Sequence, residues 1–345
     1  MFDGTTGYVE TGTVAEPPQE YTDLLRQFDL DPDEVEIVGT PRVSKWQSAS
    51  GEWLSSYRFN LAAKSKVALI DFASIREAAF QKPPAPETDA WFNVQVSDIQ
   101  LGKIEGGGIE EIVRKYYESL SRAVAEFKGG VYAGVHLMFL GDCVEGVTSQ
   151  NGRNVWRTEL TITDQVTIFR RLLLAAVQEF APLTSELKVH VCNGNHDEAE
   201  RRWNTQPGDG WATNAAVAVA DALKLNAAYD HVTIQVPPPE QSHMTVDVGG
   251  TVFTLTHGHK WRRGKHFEWW QELAFSGHAP GAAHILAHGH EHEFQVSTKK
   301  NRYRICSSTL DDGSAWWSDM HGDEAQRGCL IYTTEKGVMS NLSLV

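Results

Sequence analysis

Five short polar clusters carry the residue types that hold divalent metal ions. They are Asp98 with Gln100, Asp142, Asn195 with His196 and Asp197, His257, and His290 with His292. Carboxylate and imidazole suit hard and borderline divalent ions, and two carboxylates, an amide and three histidines could serve a pair of them. Each cluster follows an apolar run, and most are flanked by glycine (LGD, CNGNHD, THGH, AHGHEH). Small residues there let the chain turn sharply and bring side chains to one centre. His290 and His292 stand two apart at a strand end, so in a regular strand they share a face. A lone aspartate after a strand is ordinarily a cap or turn residue, and a lone buried histidine a hydrogen-bonded core residue. Five clusters in order, all at strand ends, make coincidence a poor account.

The elements that must position them are readable from periodicity. WFNVQV (91–96), GVHLMFL (134–140) and LKVHVC (187–192) read as strands. Between and after them, apolar residues at helical spacing predict helices over about 109–127, 162–180 and 212–223. Strands then dominate, through HVTIQV, HMTVDV, TVFTLTH and AHILAHGH. An aromatic and basic insertion at about 260–280 interrupts them. Alternating strands and helices followed by strands predict a layered α/β architecture with a sheet-on-sheet core. Polar motifs after apolar strands are where open α/β sheets place their sites. Ahead of this domain (91–345) the sequence predicts a flexible arm (1–20), a small, partly β appendage (21–80) and a proline-rich linker (81–90). VALIDF (67–72) reads as a short strand, and Trp46, Trp53 and Tyr57 as core residues of the appendage, with an extension of an aromatic binding platform as the alternative.

Composition narrows the function classes. The 345 residues are 41% hydrophobic and 22% charged, with a net charge of −14. Such acidity excludes a protein that coats nucleic acid through a dense basic surface. No run approaches the roughly 18 apolar residues of a membrane span. The amino-terminal stretch lacks the pattern of a secretory signal. Cys143, Cys192, Cys306 and Cys329 form no CxxC pair, which with the rest predicts a cytoplasmic protein.

SDIQ (97–100), GDCVE (141–145), GNHDE (194–198), THG (256–258) and GHEH (289–292) resemble the five ordered blocks of the calcineurin-like metallophosphoesterases. The resemblance implies a four-layer α/β/β/α sandwich and two divalent ions, manganese first, with magnesium, iron(II) or zinc as alternatives. It implies that Asp142 bridges the ions, that Asp98 and His292 hold the first with Gln100 nearby, and that Asn195, His257 and His290 hold the second. His196 would face the scissile phosphate, oriented by Asp197. Gln100 departs from the family, which usually has histidine there. An amide oxygen is a harder and weaker ligand, so the first site should be looser, or Gln100 should only hydrogen-bond a water. The expected reaction is direct hydrolysis of a phosphodiester by a hydroxide between two metals about 3.5–4 Å apart.

For the substrate, Lys260, Arg262 and Arg263 sit among Trp261, Phe267, Trp269 and Trp270, and Arg201 and Arg202 follow GNHDEAE. Cations beside aromatic platforms suit a single nucleic-acid strand. The alternative is a helix whose tryptophans pack on the domain. The sequence looks similar to the nuclease-like branch, SbcD-type DNA-repair exonucleases and bacteriophage phosphoesterases, which implies single-stranded or broken-end DNA as partner. Only 53 residues follow His292, too few for the capping domain of the SbcD type. The competing readings are a small-substrate phosphodiesterase or phosphomonoesterase acting on nucleotides, and a metal-free scaffold of the same fold. The oligomeric state is left open, a homodimer included.

Overall fold

Apolar strands that alternate with amphipathic helices must run parallel and bury both faces, and this dictates the main body of the protein. The computed structural model describes residues 6–14, 21–32, 35–48, 50–63, 72–147, 158–199, 206–311 and 326–345. Two units divide the chain, Met1–Ala68 and Leu69–Val345.

In the larger unit, β4 (Trp91–Val96), β5 (Gly134–Leu140), β6 (Leu187–Cys192) and β7 (Val232–Gln235) run parallel. With the antiparallel β13 (Leu330–Glu335) and β14 (Val338–Leu344) they form a six-stranded sheet, ordered β14-β13-β4-β5-β6-β7. A second sheet has the order β11-β12-β10-β9-β8. Its strands are β8 (His243–Val248), β9 (Thr251–Thr256), β10 (Ile285–His288), β11 (Gln295–Lys299) and β12 (Arg302–Cys306), of which β9, β10 and β12 are parallel.

Strand alternation separates two cores. Trp91, Met138, Leu140 and Cys192 of the first sheet meet Phe253, Leu255, Ile285, Ala287 and Ile305 of the second. The opposite face of the first sheet carries α3 (Gly108–Lys128), α4 (Ile162–Phe180) and α5 (Trp211–Leu223). Phe92 packs edge-on against Phe127, Phe139 packs against Phe169, and the Tyr116 hydroxyl donates to the Leu172 carbonyl. Thr161 caps α4, its hydroxyl accepting from the Asp164 N–H. On the outer face of the second sheet α6 (His266–Phe275) buries Trp270 against Leu286 and Ala283. Helices, sheet, sheet and helix are thus stacked as the four layers expected.

The segment expected as an insertion at 260–280 is instead the crossover of a βαβ unit. β9 and β10 are parallel neighbours, so a connection must return the chain to the starting edge, and α6 does this while covering the sheet. The expected linker also differs. Helix α2 (Ala73–Glu77) and the prolines after it belong to the larger unit, where Asn226 Nδ2 donates to the Ile75 and Ala78 carbonyls and Phe80 packs edge-on against Tyr229.

The smaller unit is a three-stranded antiparallel sheet, β1 (Thr6–Glu10), β3 (Trp53–Ala63) and β2 (Val35–Gln47), with helix α1 (Tyr21–Gln27). Val9, Leu24, Leu25, Val35, Phe59 and Leu61 form its core. The flexible arm predicted for residues 1–20 is therefore corrected in part, because Thr6–Glu10 is paired along its whole length with β3. Trp46 and Trp53 were expected inside; at 39% and 67% exposure they lie outside, beside the turn that joins β2 to β3. The strand read at 67–72 lies outside the described residues, apart from Phe72 in a turn.

Candidate metal centre

Parallel strands all discharge their carboxyl ends on one side, so the five clusters meet there. Asp98 follows β4, Asp142 follows β5, Asn195 to Asp197 follow β6, His257 follows β9, and His290 and His292 follow β10. The loops are stitched together by their backbones: the Asp98 N–H donates to the Gly141 carbonyl (3.0 Å), that of Gln100 to Asp142 (2.9 Å), and that of Gly289 to His257 (3.0 Å). Across the sheets, His257 Nδ1 donates to the Leu140 carbonyl at 2.8 Å, which points Nε2 at the centre.

Five of the seven expected ligands stand in the left-handed region: Asp98, Gln100, Asp142, His290 and His292, with φ between 49° and 72°. Side chains rarely adopt this conformation, and such strain concentrates at functional sites. Gly141 has φ 86°, and a Cβ there would lie 2.6 Å from the Gly194 nitrogen. At Gly289 a Cβ would come within 1.7 Å of Ser97 Oγ, so neither turn accepts a larger residue.

The ligand atoms of Asp142, His257 and His290 lie within 4.8 Å of one another. His257 Nε2 is 3.0 Å from Asp142 Oδ2 and 3.9 Å from Asp98 Oδ1, and His292 Nε2 is 3.2 Å from Asp98 Oδ1. Even so, Asp98 Oδ1, Asn195 Oδ1 and His257 Nε2 are buried and make no well-formed hydrogen bond among the described residues. Orphaned buried polar atoms are costly, and lone pairs converging on one point are what a divalent ion satisfies. The residues therefore fit metal. Asn195, His257, His290 and Asp142 would hold one ion, and Asp98, His292 and Asp142 another.

Burial would depress the His257 pKa, but the Asp142 and Asp98 carboxylates outweigh it and raise it to about 9, so an ion held there would have to displace the Nε2 proton. For Asp142, burial opposes ionisation, yet His257 and His196 hold its carboxyl far below the usual range. His290 is pushed down to about 4 by burial and by His257, which leaves its imidazole neutral and able to ligate.

His196 sits against Asp142. Its N–H donates to Asp142 Oδ1 at 2.8 Å. Its orientation corrects the expectation placed on Asp197: Nδ1 lies 2.9 Å from the Glu145 carbonyl and 3.3 Å from Glu145 Oε2. Asp197 instead accepts the backbone N–H groups of Cys143 and Val144 on one oxygen and that of Gly194 on the other. It ties the loop carrying Asp142 to the loop carrying Asn195. Its pKa is raised to about 7 by burial and by Asp142, against the N–H groups of Gly194 and Val144 and the nearby His257. For His196, burial is overcome by Asp142 and Glu145, which hold the ring as an imidazolium with a pKa near 10.

Residues of ordinary type complete the surroundings and were missed in the sequence. Asp311, after β12, faces His292 Nδ1 at 3.6 Å and pairs with Lys103 at 2.8 Å. Arg304, fully buried, donates to His288 Nε2 (2.7 Å), Gln295 Oε1 (2.7 Å) and Glu291 Oε2 (2.6 Å), bracing the loop between His290 and His292. Glu145 could have been suspected as the last residue of GDCVE; nothing in the sequence marks Lys103, Arg304 or Asp311.

Among the expected substrate contacts, Lys260 and Arg262 are exposed, whereas Arg263 pairs with Glu293. Arg201 and Arg202 lie outside the described residues. The aromatic platform is largely packing. Trp270 is 2% exposed with Nε1 donating to the Pro280 carbonyl, and Trp261, Phe267 and Trp269 are partly buried against it and Leu286.

Residues 169–336 match the calcineurin-like phosphoesterase superfamily domain, a span holding Asn195, His196, His257, His290 and His292 and beginning after Asp98 and Asp142. No curated protein matches the chain. Solved structures similar to it include three at 13% identity. A Streptococcus pneumoniae protein described as a predicted phosphoesterase has a TM-score of 0.30 and covers 71% of this chain and 82% of its own. An archaeal phosphodiesterase has 0.33 (74% and 99%), and vacuolar protein sorting 29 of Cryptosporidium parvum has 0.35 (74% and 97%). Scores this low carry no functional argument. No helix among the described residues is long and apolar enough to cross a membrane. Five ordered motifs and the site they build agree with that match, in which residues 169–336 resemble the calcineurin-like phosphoesterase superfamily domain.

Proposed function

We propose that this protein is a metal-dependent hydrolase of phosphodiester bonds, with the two-metal centre at the ends of β4, β5, β6, β9 and β10. The observation that carries the reading is the gathering of Asp98, Asp142, Asn195, His257, His290 and His292 at these strand ends, with three buried atoms that make no well-formed hydrogen bond among the described residues. When bound, two divalent ions supply Lewis acidity and an activated water for in-line attack on phosphorus. The chain's own residues do the rest. Asp142, kept ionised, provides the shared carboxylate. Glu145 clamps Nδ1 of His196, so the proton offered to a leaving oxygen would come from Nε2. An imidazolium poised beside the phosphoryl group stabilises the charge that builds there. No side chain need become phosphorylated.

DNA is our preferred substrate, supported by the exposed Lys260 and Arg262 that follow directly on THGH. A nucleotide-sized phosphodiester is the second reading, favoured by the packing of the tryptophans, which leaves little surface on which bases could stack. Two assays with manganese separate them, release of nucleotides from a labelled single-stranded oligonucleotide and hydrolysis of bis-p-nitrophenyl phosphate. Cleavage of both by wild type and of neither by His196→Ala supports a nuclease. Cleavage of the small diester alone selects the second reading. Failure on both by protein shown to hold metal removes the assignment.

A further inference from the structure

The two halves of the centre are not equivalent, and the difference lies in a residue outside every motif. Around Asp142, Asn195, His257 and His290 no lysine or arginine is hydrogen-bonded to a ligand atom among the described residues. In the other half Lys103, carried on the turn after Gln100, places Nζ 3.4 Å from Gln100 Oε1, the atom standing where the family has an imidazole. The same ammonium lies 2.8 Å from Asp311 Oδ1, and the other oxygen of Asp311 faces His292 Nδ1. Lys103 and Asp311 are 12% and 0% exposed at their side chains, so this pair is a built part of the site and not a surface contact.

We propose that Lys103 is a resident cation that sets the occupancy of the first metal site. Resting on the two-metal reading, the inference concerns only how the ions are held. An ammonium donating to Gln100 Oε1 draws on the lone pair a metal would use. It also adds positive charge beside a position meant for a dication, and this repulsion is little screened in a buried setting. The Asp98, Gln100 and His292 half then binds its ion weakly and exchanges it, while the Asp142, Asn195, His257 and His290 half holds its ion firmly.

The test is direct binding of manganese by equilibrium dialysis with elemental analysis, on wild-type protein and on Lys103→Gln, Lys103→Met and Lys103→Arg. For wild type the expected result is one tight ion per chain and a second at least about 10-fold weaker. The two neutral variants should narrow that gap about 10-fold, whereas Lys103→Arg, which keeps the charge, should preserve it. Two equally tight ions in wild type overturn the proposal. So does an unchanged gap in whichever neutral variant retains the wild-type circular dichroism. Because binding is read without turnover, these outcomes are separate from any failure of the hydrolysis assays.

Discussion

Two pairs of histidines, all penalised by desolvation, behave in opposite ways. His136 and His190 stand mid-strand on β5 and β6, with His136 Nε2 2.8 Å from His190 Nδ1, flanked by Asn93 and Gln235. His257 and His196 stand past the ends of β9 and β6, beside Asp98, Asp142 and Glu145. Burial pushes His136 well below its usual range and His190 down to about 4, while His257 rises to about 9 and His196 to about 10. Desolvation disfavours charge in all four. The carboxylates at the strand ends reverse it for one pair, and the neutral amides at mid-strand do not. Burial alone makes a histidine part of a core; burial beside a carboxylate makes it part of a site.

The strongest way to break that contrast is Asp142→Asn. Without the shared carboxylate His257 should titrate below 6.5, as His190 does, in a histidine-resolved NMR titration. Metal retention should fail, and hydrolysis should drop about 10³-fold or more. A His257 that keeps its high pKa would show that Asp98 alone sets it. Next comes His196→Ala, which should lower turnover about 10²–10⁴-fold while elemental analysis still finds the metal of the wild type. Loss of metal as well would recast His196 as a support of Asp142.

The core pair predicts acid lability instead. His190 titrates near 4 when folded, against an ordinary value of 6.5. As pH falls through 6.5 the unfolded chain takes up the proton first, so stability present above that pH is lost progressively toward pH 4. The loss is about 3 kcal/mol for this group. Urea unfolding at pH 7 and pH 4.5 should show the slope, and a His190→Asn variant that still folds should flatten it. The smallest effect is expected at the rim. Arg262→Ala should raise KM for an oligonucleotide a few-fold and reduce its salt dependence, with no change on a small diester; equal effects on both substrates would remove DNA from the proposal.

The strands, the main helices and the positions of the five clusters were legible because each rests on local patterning. β4, β5 and β6 begin and end where their apolar runs do, and the ligands of both halves follow such runs. Less legible was the role of Trp261, Trp269 and Trp270. Arginines among tryptophans read equally as a nucleic-acid platform or as a packed helix, and only the parallel pairing of β9 with β10 makes α6 an obligatory crossover with its aromatics inside. Trp46 and Trp53 erred in the other direction, since a two-residue alternation says that a strand has two faces and not which of them is covered.

By itself the sequence determined the chemistry on offer: which residue types stand at which strand ends, in what order, and that glutamine replaces an imidazole at position 100. Tertiary structure alone decided who meets whom. Lys103, Glu145, Arg304 and Asp311 join the centre from four separate loops and strands, and five ligands are turned into it by left-handed backbone that no propensity predicts. Local pattern encodes period and strand ends, whereas the pairing of Lys103 with Asp311, the carboxylate that faces His292, depends on packing between segments 208 residues apart.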